Sequence, residues 1–362
     1  MLAVSNGRDE RRRAALAVVA PGTPLRDGLE RIVHGSTGAL IVLGFDPIVE
    51  GICSGGFELT ASFSATRLRE LAKMDGAIVL DQACTRILRA AVQLVPDPRL
   101  PTEESGTRHR TAERVARQTG FPVIAVSKSM RTVAVFTDGE RYVLEDSAAL
   151  LTRAHQALAT LERYKHRLDD AAVALTALEI EDRATIGDIA RVAQRLEMAN
   201  RVTEEIAGYL VELGTDAGLL GLQLEELTAG MRRQRELLLR DYGRVEHPAP
   251  VDSAHAGDRA LARLSADELI DLPAVASAIG LTAGNGLDQH VSAVGYRVLG
   301  QIPQVPQAAA EELISEFGSL QKLLSASAQD LRRVPAVDTA LARSLREGLS
   351  RIAESALLER YS

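Results

Sequence analysis

The sequence predicts an α/β domain followed by two helical ones, and three observations carry that prediction. Short, β-branched apolar runs alternate with helical stretches as far as about Asp146. A three-four stripe of Leu151, Ala154, Leu158, Leu161, Leu168, Ala172 and Leu175, interrupted by Lys165, then marks a long helix packed along one seam. A stretch rich in Pro, Gly and small polar residues, "GRVEHPAPVDSAHAGD", separates this helical part from a last series of short helices. At 362 residues the chain has room for two or three domains with separate cores. The boundaries read 1–146 for the α/β domain, 147–243 for the helical spine, 244–258 for a flexible linker and 259–362 for the C-terminal domain.

In the first domain the strand candidates are "ALIVLG" (39–44), "AIVLD" (77–81), "RILRAAVQLV" (86–95) and "PVIAVS" (122–127). In "RTVAVFTDGERYVLED", Asp138-Gly139 sits between two alternating runs, which is a two-residue hairpin signal. The helical stretches are "PLRDGLERIVHG" closed by Gly35, "SATRLRELAKM", and "RHRTAERVARQT" closed by Gly120. In the spine, Thr185-Ile186-Gly187-Asp188 has the form of a capping box before a helix carrying Ile189, Val192 and Leu196. The last zone is broken by "IPQVP" (302–306) and "VPAVD" (334–338).

Composition removes several function classes. The net charge of −7 excludes a surface that adheres to nucleic acid as a whole, so any DNA contact is local. Aromatic content of 3% with no Trp disfavours a base-stacking platform. Cys53 and Cys84 fit neither a zinc spacing nor a disulfide framework. The basic-then-apolar start, with Ala14 to Ala20 followed by Pro21-Gly22, lacks a signal-peptide cleavage pattern, and no run approaches the ~20 apolar residues that span a bilayer. The expected location is the cytoplasm, with no membrane partner.

Two stretches can carry chemistry. In "ESGTRHRTAERVARQTG", a helix opens near Arg108, and its first-turn amides and dipole favour an anion. Arg108 and Arg110 add planar donors suited to phosphate, while Gly106 and Thr107 allow close backbone approach and supply a hydroxyl. The competing reading is a solvated basic turn paired with Glu103, Glu104 and Glu113. In "LAKMDGAIVL", Asp75-Gly76 enters a buried strand, either as a plain turn or as a carboxylate that meets a metal or a substrate hydroxyl. Together they suit nucleotidyl transfer, with Mg²⁺ held by a carboxylate and substrate phosphates. P-loop, kinase and G-x-G-x-x-G signatures are absent. His34 and His155 lie in no triad context.

These residues carry a resemblance. "MDGAIVL" with "SGTRHRTAERVARQTGFPVIAVS" is similar to the DGA and RHR motifs of bacterial diadenylate cyclases, and "TGALIVLG", "GGF", "RLRELAKMDGA" and "VQLVPDP" match the same domain. The continuation "LTRAHQALATLERYK…LEIED…QRLEM…GYLVELG" narrows the resemblance to the DNA integrity scanning family. The resemblance implies a twisted mixed sheet with flanking helices, and condensation of two ATP into cyclic di-AMP and two pyrophosphates. It implies that Asp75 assists the 3′-hydroxyl through Mg²⁺ or Mn²⁺, that Gly76 lies against the ribose, and that Leu94 contacts the adenine. Thr107, Arg108, His109, Arg110 and Thr111 would hold the triphosphate. It further implies a homo-octamer of facing cyclase rings and a C-terminal helix-hairpin-helix domain that binds branched DNA and inhibits synthesis, placing the protein on the nucleoid when DNA-bound.

Hairpins of that class usually read hydrophobic-Pro-Gly-hydrophobic-Gly. Here Ala336 and Asp338 occupy the glycine places of the second turn, and Gln304 and Pro306 those of the first, which hinders close phosphate approach. Residues 250–362 hold ten Lys/Arg against fourteen Asp/Glu, with Arg332, Arg333, Arg343 and Arg346 as the local DNA-contact candidates. "DQACTR" (81–86) also lacks an expected turn glycine. The alternative to the enzyme is a non-catalytic, ATP-sensing DNA-binding scaffold.

Overall fold

The computed structural model describes residues 2–243, 251–281 and 286–360. It divides into two compact units, Met1–Gln156 with Glu205–Leu222, and Ala157–Glu204 with Gln223–Ser362. Among the described residues, no helix is long and apolar enough to cross a membrane.

The first unit is built on one sheet. In chain order its elements are α1 (Leu2–Val18), α2 (Pro24–His34), β1 (Ala39–Leu43), α3 (Pro47–Ile52), β2 (Cys53–Ser54), β3 (Phe57–Ser62), α4 (Ala65–Leu71), β4 (Ala77–Leu80), β5 (Arg86–Leu94), α5 (Thr107–Thr119), β6 (Val123–Ser127), β7 (Thr132–Thr137) and β8 (Glu140–Val143). The strand order is β2-β5-β4-β1-β6-β7-β8, with β3 also on β5. Only β1 and β4 pair in parallel, so the sheet is mixed.

β1, β4 and β6 are buried at every position, which is why each reads as an unbroken apolar run. Alternate residues serve opposite faces. Ile41, Ile78 and Ile124 join Leu25, Leu29, Ile32 and Leu68 on one. Val42, Val79 and Val123 join Ala112, Val115 and Phe136 on the other. The Asp138-Gly139 hairpin forms as expected, both residues having positive φ (51° and 80°), as a type I′ turn requires. The basic N-terminal stretch is helical. Ala15, Val19 and Ala20 are buried, and Arg11 pairs with Asp138 at 2.9 Å.

The glycine-free loop at 81–86 is closed by a carboxylate. Asp81 accepts bonds from the Thr85 amide (2.8 Å), the Thr85 hydroxyl (2.7 Å) and the Arg86 amide (2.7 Å). The left-handed position falls on Cys84 (φ 54°). The loop leaves β4 at the end opposite Asp75, about 20 Å away at the usual rise per strand residue.

The helical region comprises α6 (Ser147–Ile180), α7 (Ile186–Leu213), a 3₁₀ turn (Gly214–Ala217), α8 (Gly218–Thr228) and α9 (Met231–Tyr242). The apolar stripe is buried at Ala154, Leu158, Leu161, Leu168 and Leu175, with Leu150 rather than Leu151 completing it. The Thr185 box forms, with the Asp188 amide donating to Thr185 Oγ1 (3.3 Å) and the Thr185 amide to the Asp188 carboxylate (3.2 Å). Residues 244–250 of the expected linker lie outside the described residues. Residues 251–258 are not linker but the first turns of α10 (Val251–Arg263). Gly257 lets α10 approach α9, because a Cβ there would stand 3.1 Å from Leu239, and Leu261 is buried.

The chain continues through α11 (Ala266–Ile270), α12 (Leu272–Ala278), α13 (Tyr296–Leu299), α14 (Gln307–Phe317), α15 (Leu320–Ser325), α16 (Ala328–Leu331) and α17 (Thr339–Arg360). Two helix–turn–helix segments, α13–α14 and α16–α17, repeat at an offset of 32 residues, the separation of Leu299 from Leu331. Ile302 and Val334, Val305 and Val337, and Leu313 and Leu345 are buried in register. The turns share a hydrogen bond as well, from Val305 N–H to Ile302 O (3.1 Å) and from Val337 N–H to Val334 O (2.9 Å).

A buried polar network ties α6, α9 and α13 together. Arg297 Nε donates to Glu179 (2.8 Å), and the Tyr242 hydroxyl donates to the same oxygen (2.6 Å). Asp241 accepts the Gly295, Tyr296 and Arg297 amides at 2.7, 2.7 and 2.8 Å. Burial and the neighbouring Glu179 push the Asp241 carboxyl up to about 7, against the pull of those three amides. Arg297→Met should therefore destabilise the second unit by about 3–5 kcal/mol, because it strands the Glu179 carboxylate. Adding Glu179→Met should recover part of that loss, and urea unfolding of both variants measures it.

Candidate functional site

Strand register gathers the predicted site residues at one end of the sheet. Ile41 lies opposite Ile78 on the parallel pair β1–β4, so counting back three residues sets Gly38 beside Asp75. On the other flank Ala77 lies opposite Val92 on an antiparallel pair, so two residues back along one strand and two forward along the other set Asp75 beside Leu94. Neighbouring strands are about 4.8 Å apart, so three separate chain segments meet within a nucleotide's reach. Asp75 is exposed and has no hydrogen-bond or ion-pair partner among the described residues, while Leu94 is buried.

Gly76 is required by the fold itself. Its φ is +110°, and a Cβ would stand 2.6 Å from the Ala91 carbonyl carbon. Ala91 has φ 54° where the β4–β5 register slips, so strand irregularity and glycine together shape the turn that presents Asp75.

The opposing wall is the start of α5. The helix starts at Thr107, one residue earlier than Arg108, its N-cap is Gly106 with no side-chain cap, and it ends on left-handed Gly120 (φ 74°). An end without a capping side chain leaves its first-turn amides available to an anion, with the dipole adding roughly half a positive charge. The guanidinium of Arg108 lies on the backbone of Gly38, where a Cβ would come 2.4 Å from Nη1. Arg110 donates to Ser105 O (3.1 Å), and the Thr111 hydroxyl donates to Thr107 O (2.9 Å). Half-buried His109 meets the Phe136 ring edge-on, with centroids 6.2 Å apart.

The acids beside the motif do not neutralise its arginines. Glu104 pairs with Arg141 at 3.1 Å. Glu113, 6% exposed, accepts from the Thr102 hydroxyl (2.6 Å), the Glu103 amide (3.2 Å) and Arg117 (2.8 Å). Among the described residues Arg108 has no carboxylate partner, contrary to the solvated-turn alternative. Burial raises the Glu113 carboxyl, but the bonds from Thr102, Arg117 and the Glu103 amide outweigh it and hold it below its ordinary value. The solvated-turn reading makes Glu113 a counter-ion of Arg108 and Arg110; instead it anchors the segment leading into α5. The clue was its place on the helix's apolar face, beside Ala112 and Ala116.

Among the described residues no three His, Cys, Asp or Glu side chains gather as a metal site. A divalent ion shared between one carboxylate and substrate phosphates needs no such cluster, and exposed, unpartnered Asp75 suits that role.

In the second unit, Arg332 and Arg343 are exposed, and Arg333 pairs with Asp330 at 3.4 Å. Arg346 is half-buried and donates to Leu324 O (3.0 Å) and Ala326 O (2.9 Å), so it holds a loop instead of presenting a free charge. The Ala336 amide donates to Glu312 (3.0 Å) and the Leu341 amide to Asp338 (2.7 Å). No side-chain cap bonds the start of α14 behind Pro306, and Gln304 is exposed.

Comparison with known families matches residues 26–141 to the DisA bacterial checkpoint controller nucleotide-binding domain, and 144–287 to the DisA bacterial checkpoint controller linker region. The chain is 59% identical over 350 residues to the DNA integrity scanning protein DisA of Frankia casuarinae, covering 96% of this chain and 97% of that one. It is 58% identical over 361 residues to the protein of the same name from Streptomyces avermitilis, covering 99% and 96%. Among solved structures, an engineered DacA from Staphylococcus aureus aligns at 20% identity over 38% of this chain and 89% of its own, with a TM-score of 0.28.

Burial, with Arg141 and Arg108 nearby, lowers His109 from its ordinary value of 6.5, while Glu104 opposes the shift. A histidine depressed in the folded state favours folding above the ordinary histidine range, and that contribution is lost as pH falls through the lowered value. Thermal unfolding from pH 8 to pH 5 should show this loss in the native protein and a flatter profile in His109→Gln.

Proposed function

The chain belongs to the DisA family of bacterial checkpoint controllers, and from that premise we propose that it is a diadenylate cyclase, condensing two ATP into cyclic di-AMP with release of two pyrophosphates. The observation that carries this reading is the meeting of Asp75 and Arg108 at one end of the sheet, neither of them neutralised by another side chain among the described residues.

In each half-reaction a 3′-hydroxyl oxygen forms a bond to the α-phosphorus of the other ATP. The α–β bridging bond breaks, and pyrophosphate leaves with its electron pair. Asp75 orients the hydroxyl and receives its proton. When bound, Mg²⁺ or Mn²⁺ would be held by Asp75, and it would acidify that hydroxyl and offset developing charge. The amides of Thr107 and its neighbours, with Arg108, Arg110 and the Thr111 hydroxyl, hold the triphosphate. Neutral His109 donates a hydrogen bond without demanding a counter-ion. Gly76 lies against the ribose and Leu94 covers the adenine. Catalysis is then mainly positioning and charge stabilisation.

The product has two-fold symmetry, whereas this sheet end offers one Asp75 and one α5 start. Two chains facing about a two-fold axis supply identical half-sites, which is the role of the homo-octamer of facing rings.

For the C-terminal part, the 32-residue repeat of helix–turn–helix segments with buried flanking residues supports the helix-hairpin-helix reading. Duplex or branched DNA would be met through its phosphates, independently of sequence and sensitively to salt. Arg332 and Arg343, exposed and without an ion pair among the described residues, would make that contact, and DNA binding would slow cyclic di-AMP synthesis. The curated relatives carry the name "DNA integrity scanning protein".

Incubation with ATP and Mn²⁺ should give cyclic di-AMP by mass spectrometry, and absence of product would favour the ATP-sensing scaffold. Asp75→Asn should abolish product while sparing ATP binding; Arg108→Ala with Arg110→Ala should weaken ATP binding at least tenfold. Because a charge about 5 Å from a phosphate costs roughly 0.8 kcal/mol in water, Glu312→Gln should raise DNA affinity roughly fourfold in a gel-shift titration.

A further inference from the structure

The second unit contains a cavity of about 660 Å³ walled by α6, α9, α13 and α17, within the size range of small-molecule sites. Nothing in the cyclase reading uses it. Its polar lining is both cationic and incompletely satisfied. Arg297 is only 6% exposed, its Nε bonded to Glu179 (2.8 Å) and its Nη2 to Ala172 O (3.2 Å). Its remaining nitrogen, Nη1, makes no hydrogen bond to the described residues. Arg233 and Arg351 are exposed lining residues with no ion pair among the described residues. The one carboxylate of the lining, Asp169, is engaged by Lys165.

A second observation concerns Gln234. Its Oε1 is buried and has no hydrogen-bond partner among the described residues. A buried amide oxygen without a donor is costly, and such orphan groups in native folds call for an occupant. Gln301 lines the same cavity, and its amide nitrogen donates to the Thr176 hydroxyl (3.2 Å) and to no other described residue. The cavity therefore lacks two things at once: an anion opposite its guanidinium groups, and a donor opposite an acceptor.

We propose that this cavity binds a small phosphorylated molecule of about nucleoside-monophosphate size. Its anionic end rests on Arg233 and Arg351, and a hydroxyl or amino group donates to Gln234 Oε1. Guanidinium forks match phosphate oxygens in charge and geometry, and the apolar side chains of Leu237 and Ile352 accept the body of the ligand.

The test uses the full chain carrying Arg108→Ala and Arg110→Ala, which removes the phosphate clamp of the first unit. Isothermal titration with AMP should give saturable binding at one site per chain. Adding Arg233→Ala and Arg351→Ala should weaken it at least tenfold, with an unchanged thermal midpoint because both side chains are exposed. Gln234→Leu should weaken AMP several-fold and leave inorganic phosphate unaffected. No saturable AMP binding, or binding indifferent to the two arginines, would overturn the proposal. Equal affinity for phosphate and AMP, with Gln234→Leu changing neither, would overturn the ligand class.

Discussion

The parallel pairing of β1 with β4 is the constraint on which the first unit turns. Parallel strands enter a sheet from the same end, so the residues just before them, Gly38 and Asp75, are brought side by side. Antiparallel β5 then returns the chain to that end and leaves Leu94 there. From Leu94 a twelve-residue connection, 95–106, delivers the start of α5 against Gly38. A slip of one residue in the β1–β4 register would move Asp75 past Gly38 and exchange the two buried faces, so the packing of Ile41, Ile78 and Val79 also specifies the site.

Much of this was readable from residues alone. Runs buried on both faces gave β1, β4 and β6, and Asp138-Gly139 gave the last hairpin, because these signals are local. α5 and its Gly120 stop were legible for the same reason. β2 and β3 were not, since Cys53–Ser54 is two residues long and the six residues of β3 are almost wholly exposed, leaving no alternating pattern. Motif residues of the site could be named, but their freedom could not. Whether Arg108 meets Glu104 or Glu113 depends on Arg141 and Thr102, which come from other parts of the fold. The two turns of the 32-residue repeat were legible from the proline and valine that "IPQVP" and "VPAVD" share, but the helices around them were not, because there the repeat is carried by burial more than by identity, with Glu311 standing against Arg343.

The second unit shows a different balance. Its helices follow an apolar stripe that needs no polar help, yet Glu179, Asp241, Tyr242 and Arg297 are buried among them. In sequence these appear as interruptions of a pattern, and only the folded chain shows that they interrupt it at one place. Such a network adds little net stability over apolar packing, but its directional bonds admit few alternative arrangements of α6, α9 and α13. The turns nearby follow the same economy of acceptors, with Glu312 and Asp338 satisfying amides of the second hairpin and its helix.

The resting place of Arg108 on Gly38 has a thermodynamic consequence. A free arginine side chain loses on the order of 1.5–2 kcal/mol of rotational freedom when it is fixed. Here the guanidinium already lies on bare backbone, beside the Val126 carbonyl and without a carboxylate to leave. Fixing the exposed side chain on an anion still costs that entropy, but no steric penalty is added, because at any residue other than glycine a Cβ would collide with Nη1. Affinity at such a place comes from the absence of a methyl group as much as from the presence of a charge.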